Sequence, residues 1–202
     1  MINIAVLVSG GGTNLQALLD KEADHGFPHA RITLVLASND KAYALQRAQK
    51  YGKETAVVSR KNYQDQDSFD EAVLDVLKSH SIDMVVLAGY LSILGPKVIE
   101  AYPDRILNIH PSLIPSFCGK GFYGLKVHEA ALARGVKVTG ATVHFVNEIP
   151  DGGRILLQKA VEVQPGDTPE VLQRRVMEQA EWKILPQAVA MVSEELDKEK
   201  NV

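Results

Sequence analysis

The chain has 202 residues, 46% of them apolar and 23% charged, with a formal net charge of −3. That length supplies one globular core, and the balance leaves no surplus of positive charge for a nucleic-acid duplex. A single cysteine, Cys118, excludes an intrachain disulfide and a cysteine-rich metal site.

Ile2 to Val8 is an unbroken apolar run, the pattern of a strand covered on both faces, and it ends in Ser9, three glycines, Thr13 and Asn14. No signal-peptide pattern precedes those glycines. Leu15, Leu18 and Leu19 follow at helical spacing. Ile32 to Ala37 reads as a second strand, Ala44, Leu45 and Ala48 as the apolar stripe of a second helix, and Thr55 to Val58 as a third strand. Phe69, Val73, Val76 and Leu77 mark a third helix in DSFDEAVLDVLKSH, before strands at Met84 to Ala88 and Ile106 to Ile109. These apolar runs are of strand length and far short of the ~20 residues that cross a bilayer. No membrane contact is expected, and the expected location is the cytoplasm. The order predicts an α/β fold with a doubly wound, mainly parallel sheet and right-handed crossovers.

After His110 the segment HPSLIPSFCGKGFYG carries prolines, glycines and small polar residues, and it reads as a long functional loop. Leu125 to Arg134 returns as a helix stopped by Gly135. GATVHFV alternates Ala141, Val143 and Phe145 against Thr142, His144 and Val146, and RILLQKAVEV follows across the EIPDGG turn, so the pair predicts an antiparallel extension of the sheet. The last element starts at an N-cap Thr168, with Pro169 at N1 and Glu170 in the first turn. Lys198 to Val202 reads as a frayed tail. One domain is expected over residues 1–202: a Rossmann-like phosphate-binding half (1–110), then a half with the active-site loop, antiparallel strands and terminal helix (111–202).

A strand running into glycines and a helix N-terminus places backbone N–H groups where an anion can sit. The dinucleotide fingerprint is incomplete, since Leu15 stands at the third glycine position and Asp40 lies 28 positions after Gly12 instead of about 20. No Gly-Lys-Ser/Thr follows, so it is not a P-loop either. A single terminal phosphate suits the short loop, and a purely structural tight turn is the competing reading.

Asn108 and His110 are two apart at the end of a buried strand, so both side chains point to one side of the carboxyl edge. An amide beside an imidazole can hydrogen-bond a carbonyl oxygen as it gains charge, the requirement of acyl transfer. Asp151, on a Gly-flanked turn, would raise the pKa of His110 and make it a proton donor near neutral pH. The competing reading is a strand-end histidine satisfied by backbone and an exposed turn aspartate. His144 reads as a packed or hydrogen-bonded structural residue.

The set VSGGGTNLQALL, VVLAGYLSILGP, ILNIHPSLIPSF, GATVHFVNEIPDGG and AEWKILP resembles the folate-dependent phosphoribosylglycinamide formyltransferases of the formyltransferase superfamily, in order along essentially the whole chain. The resemblance implies formyl transfer from 10-formyltetrahydrofolate to the amine of glycinamide ribonucleotide (GAR), with no metal. It implies that Gly12, Thr13 and Asn14 bind the ribose phosphate, and that Glu181, with Glu178 before it, meets the ribose hydroxyls. Leu91, Ser92, Ile93 and Leu94 would receive the pterin, Asn108 the formyl oxygen, and Asn108, His110 and Asp151 would form the catalytic trio. Partners would be these small molecules alone, acting on a monomer or homodimer.

The chain departs from the family in places. Ser92 stands where relatives have arginine and Gln66 near a basic position, both associated with the folate tail. The loop after Ser116 is longer by about five residues, and Lys120 or Lys126 is expected to supply the missing charge. Arg154 replaces a proline, and the terminal helix carries one extra residue before Ala180. Cys118 reads as a passenger. The remaining alternatives are a formyltetrahydrofolate deformylase, a formyltransferase with another amine acceptor, a dinucleotide-dependent oxidoreductase using Asp40, and a non-catalytic nucleotide-binding module.

Overall fold

The computed structural model of the chain describes residues 1–24 and 26–200. Two compact units divide it, Met1–Leu107 with Val189–Val202, and Asn108–Ala188. Seven strands hydrogen-bond in the order β3-β2-β1-β4-β5-β6-β7, with helices flanking the sheet.

The first unit carries β1 (Ile2–Val8), α1 (Thr13–Asp24), β2 (Ala30–Ala37), α2 (Tyr43–Lys50), β3 (Glu54–Val57), α3 (Gln66–Ser79), β4 (Met84–Leu87) and α4 (Pro96–Ala101). β1 pairs in parallel with β2 and β4, and β2 with β3. The unalternating apolar runs of β1 and β4 are explained by burial on both faces, since every residue of β4 is buried and all of β1 but Asn3. β3 differs from the expectation of a covered strand: it stands at the sheet edge, and three of its four residues are exposed. α1 buries Leu15, Leu18 and Leu19 as their spacing requires, and α3 buries Phe69, Val73, Leu74 and Leu77. Asp65 caps α3 by accepting from the Ser68 N–H at 2.8 Å. Sequence periodicity does not reveal α4, because six residues span too few turns to show a stripe. Its local signal is Pro96 at the first helical position.

β5 (Ile106–His110) begins in the first unit and ends in the second, which continues with α5 (Leu125–Arg134), β6 (Val138–Phe145), β7 (Ile155–Glu162) and α6 (Pro169–Val176). Gly135, at φ +75°, closes α5 in the left-handed conformation that spares a glycine any Cβ clash. β6 and β7 are antiparallel, as their alternation predicts. The Thr168 hydroxyl caps α6 by accepting from the Val171 N–H at 3.4 Å.

The terminal segment is two helices instead of one. A π turn, Met177–Glu181, separates α6 from α7 (Trp182–Lys200). An inserted residue would rotate everything after it by about 100° around the helix axis. A π turn absorbs the extra residue, so Leu172 and Val176 before it and Ile184 and Leu185 after it all stay buried. α7 extends to Lys200, so the expected fraying does not begin at Lys198, and residues 201 and 202 of that expectation lie outside the described residues. Among the described residues no helix is long and apolar enough to cross a membrane.

Candidate active site

In the first unit, β1 delivers Ser9 and the glycines to the N-terminus of α1. Gly12 has φ +72°, and a Cβ there would lie 2.6 Å from the Cβ of Ala44, so both its backbone and its neighbour require glycine. Gly10 and Gly11 are different: nothing beyond their chain neighbours lies within 4 Å of where their Cβ atoms would stand. The fold does not need that space, which leaves it open to a ligand approaching the backbone N–H groups. Thr13 and Asn14 open α1, with Asn14 buried beside the loop.

The segment after β4 is anchored to the same loop. Ser9 Oγ accepts from the Leu91 N–H at 2.8 Å and from the Ser38 hydroxyl at 2.7 Å. Leu91 and Ile93 are 64% and 69% exposed and present an apolar surface, while Leu94 is buried. Gln66 Nε2 donates to the Ile93 carbonyl at 3.1 Å and to Asp70 Oδ1 at 2.7 Å. Asp70 Oδ1 also accepts from the Gly95 N–H at 2.9 Å, so a fully buried carboxylate fixes the end of this segment. Ser92 and Gln66 bring no cation to it.

In the second unit the structure brings Asn108, His110 and Asp151 together. Nδ1 of His110 is 3.6 Å from Asp151 Oδ2, and Asn108 Nδ2 donates to Asp151 Oδ1 at 3.4 Å. Asp151 reaches this position because its turn packs tightly. It adopts φ +56°, and a Cβ on Gly153 would fall 1.7 Å from the carbonyl oxygen of Phe145. Glycine is the residue that admits this approach.

His144 adjoins the cluster as well, buried and hydrogen-bonded, as the sequence predicts for it. Its Nδ1–H donates to the Phe145 carbonyl at 2.8 Å, which leaves Nε2 as the acceptor for Asn108 Nδ2 at 3.1 Å. Nε2 is also 3.5 Å from Asp151 Oδ1. The signal is present in the alternation of β6, which sets His144 and Thr142 on one face. Thr142 holds the post-strand loop, its hydroxyl donating to the Ser112 carbonyl at 2.7 Å and accepting from the Ile114 N–H at 3.1 Å.

The long loop folds back onto this cluster. Nε2 of His110 donates to the Phe117 carbonyl at 2.9 Å, and the Gly119 N–H donates to Asp151 Oδ2 at 2.8 Å. His110 is therefore buried, and the expected rise of its pKa is corrected. Burial lowers it, and the Asp151 charge and the Phe117 carbonyl offset this only in part, with His144 adding to the lowering. Asp151 pulls in the expected sense, but desolvation of the imidazolium wins. For Asp151, burial pushes the carboxyl up, yet the adjacent His144 ring, the His110 charge and the Gly119 amide together hold it below the usual carboxylate range. Cys118 donates its thiol to the Pro115 carbonyl at 3.3 Å, and burial and the Asp151 charge push its pKa up, the opposite of an activated nucleophile.

Other candidates are placed apart. Glu178 is ion-paired with Arg174 at 2.8 Å on the exposed side of the π turn, whereas Glu181 is buried. Lys126 donates to the Tyr123 hydroxyl at 3.0 Å and lies 4.5 Å from that ring's centroid, and Lys120 is exposed. His128 on α5 is fully buried, with neither ring nitrogen hydrogen-bonded among the described residues, and burial together with the His110 charge lowers its pKa to about 4.

Comparison with known proteins adds a family. The formyl transferase profile matches residues 2–189. A phosphoribosylglycinamide formyltransferase of Haemophilus influenzae is 41% identical over 194 residues, covering 96% of this chain and 88% of that protein. The trifunctional purine biosynthetic protein adenosine-3 of Bos taurus is 44% identical over 190 residues, 94% of this chain, which spans 18% of that protein's length. The crystal structure of glycinamide ribonucleotide transformylase 1 from Symbiobacterium toebii superposes with a TM-score of 0.89 at 42% identity, covering 96% of this chain and 88% of that one.

Proposed function

The chain belongs to the formyl transferase family, and on that premise we propose that it transfers the formyl group of 10-formyltetrahydrofolate to the amine of GAR, giving formyl-GAR and tetrahydrofolate in purine biosynthesis. The observation that carries the reading is the convergence of an amide, an imidazole and a carboxylate, from Asn108, His110 and Asp151, with Asp151 Oδ2 at 3.6 Å from His110 Nδ1. The relatives named for this transfer support it over the hydrolase that would pass the same formyl group to water.

The free amine attacks the formyl carbon and forms a tetrahedral oxyanion. Asn108 Nδ2 and His110 Nε2 are the donors for that oxygen. Protonated His110 gains the Asp151 carboxylate at its other nitrogen, so the charge that develops on the ring is stabilised where it appears. As the intermediate collapses, the bond from the carbon to folate N10 breaks, the amine gives up its proton and N10 receives one, with His110 and Asp151 serving the transfer. The Phe117 carbonyl must leave His110 Nε2, and Asp151 Oδ1 the Asn108 N–H that it accepts at 3.4 Å, for the formyl oxygen to take their place.

We assign the ribose phosphate to Gly12, Thr13 and Asn14, the ribose hydroxyls to Glu181 with Glu178 as the second candidate, and the pterin to Leu91, Ser92, Ile93 and Leu94, with Gln66 toward the tail. Small molecules are the partners in this reading, the chain works as a monomer or homodimer, and its compartment is the cytoplasm. The test mixes purified protein with 10-formyltetrahydrofolate and follows folate absorbance with and without GAR. Release of tetrahydrofolate only when the amine is present supports the transfer; release in its absence replaces it with hydrolysis.

A further inference from the structure

The carbonyls of the glycine run are each tied down. The Gly10 carbonyl accepts from the Ala44 N–H at 3.1 Å, the Gly11 carbonyl from Arg47 Nε at 2.8 Å, and the Gly12 carbonyl from the Gln16 N–H at 2.9 Å. The first and third bonds are backbone contacts that any residue types could make. The middle one depends on a single side chain.

In a trans peptide the C=O of one residue and the N–H of the next point in opposite directions. Fixing the Gly11 carbonyl against Arg47 therefore aims the Gly12 N–H away from α2, in the sense that leaves it free for an anion. Glycine on both sides makes this peptide, like the Gly10–Gly11 peptide before it, easy to rotate, and here the brace is a side chain and not a backbone amide. Arg47 is itself held in place, since Nη1 donates to Gln16 Oε1 at 2.7 Å and the guanidinium carbon lies 5.1 Å from the centre of the Tyr43 ring. Gln16 is fixed in turn, donating to Asp20 Oδ1 at 2.7 Å and to the Tyr51 hydroxyl at 2.9 Å.

We propose that Arg47 is a positioning residue for phosphate recognition, orienting the Gly11–Gly12 peptide through the Gly11 carbonyl and placing a fixed positive charge behind the loop. The inference rests on the reading of this loop as the phosphate cradle. A guanidinium suits the role because its planar fork serves Gly11 and Gln16 at once, which an ammonium cannot reproduce.

The test compares Arg47→Met, Arg47→Lys and Gly11→Ala with the unaltered chain, reading KM for GAR, KM for the formyl folate, kcat, competitive inhibition by inorganic phosphate and the unfolding midpoint. Arg47→Met should raise both KM for GAR and the phosphate inhibition constant about tenfold, the scale of one charge-assisted contact, with kcat and the folate KM near their original values. Arg47→Lys, which keeps the charge and loses the fork, should fall between. An unchanged KM for GAR in Arg47→Met overturns the proposal, and so does a parallel fall of every kinetic parameter with the unfolding midpoint, which would make Arg47 a general structural residue. Gly11→Ala separates the premise, because nothing beyond its chain neighbours lies within 4 Å of the added methyl. If it leaves GAR and phosphate binding intact, the cradle reading fails and takes the proposal with it; if it weakens both while Arg47→Met does not, the role of Arg47 alone fails.

Discussion

The backbone carbonyl of Phe117 accepts a hydrogen bond from Nε2 of His110 at 2.9 Å, so a carbonyl oxygen of the chain itself occupies the donor that the proposed reaction offers to the formyl oxygen. Removing that donor, in His110→Ala, should lower kcat by two to three orders of magnitude, about 3 to 4 kcal/mol, while KM for GAR stays within about twofold, since the phosphate contact is made elsewhere. Steady-state kinetics at saturating folate measure it. Asp151→Asn should push the pKa of His110 further down, because the one charge that raises it is lost; the imidazole resonances titrated by NMR report the direction.

The second prediction concerns His144. With its Nδ1–H spent on Phe145, its Nε2 orients the Asn108 amide. His144→Leu should cost about 10- to 100-fold in kcat, the penalty for a displaced donor, with little change in either KM. An undiminished kcat would leave His144 a purely structural residue.

Loop closure leads to a third. The Gly119 N–H bond to Asp151 is made at φ +83°, which a side chain adopts only with strain. Gly119→Ala should cost the closed loop about 1 to 2 kcal/mol and raise amide exchange at residues 117–121 about tenfold. Exchange detected by mass spectrometry resolves the segment.

Acid stability is the fourth. His128 takes up a proton at about 4 in the folded chain and at 6.5 when unfolded. Between those values the unfolded state binds more protons, so stability falls as pH is lowered through this window and is fully present above it. The loss from this group approaches about 3 kcal/mol. His128→Leu should flatten that part of the profile, as urea unfolding at about pH 7 and about pH 5 would show.

Charge on the inserted loop gives the last. Lys120 and Lys126 are exposed, and no cation stands at Ser92 or Gln66. Replacing both lysines by alanine should raise KM for a polyglutamylated folate about tenfold more than for the monoglutamate, in line with lost contacts to added carboxylates. Equal changes for the two folates would remove the lysines from tail recognition.

Much of this arrangement can be read in the residues before any coordinates. β1 and β4 announce themselves because strands covered on both faces need apolar side chains throughout, and Asn108 and His110 share a side because a strand repeats every two residues. The Gly-flanked Asp151 is legible as a turn. What the chain conceals is whatever depends on partners distant in sequence. The bond from Asn108 to His144 joins residues 36 apart, and the sign of the His110 shift depends on a loop that folds back and excludes water. The π turn is invisible to a period of 3.6, since one extra residue simply blurs the stripe.

Gly153 carries a consequence of its own. The carboxylate of Asp151 owes its station to a hydrogen atom two positions along, where a methyl group would collide with the Phe145 carbonyl. Selection acting on this acid therefore extends to a residue with no functional group at all. A silent-looking exchange there would disarm the imidazole while leaving every reactive atom in the chain.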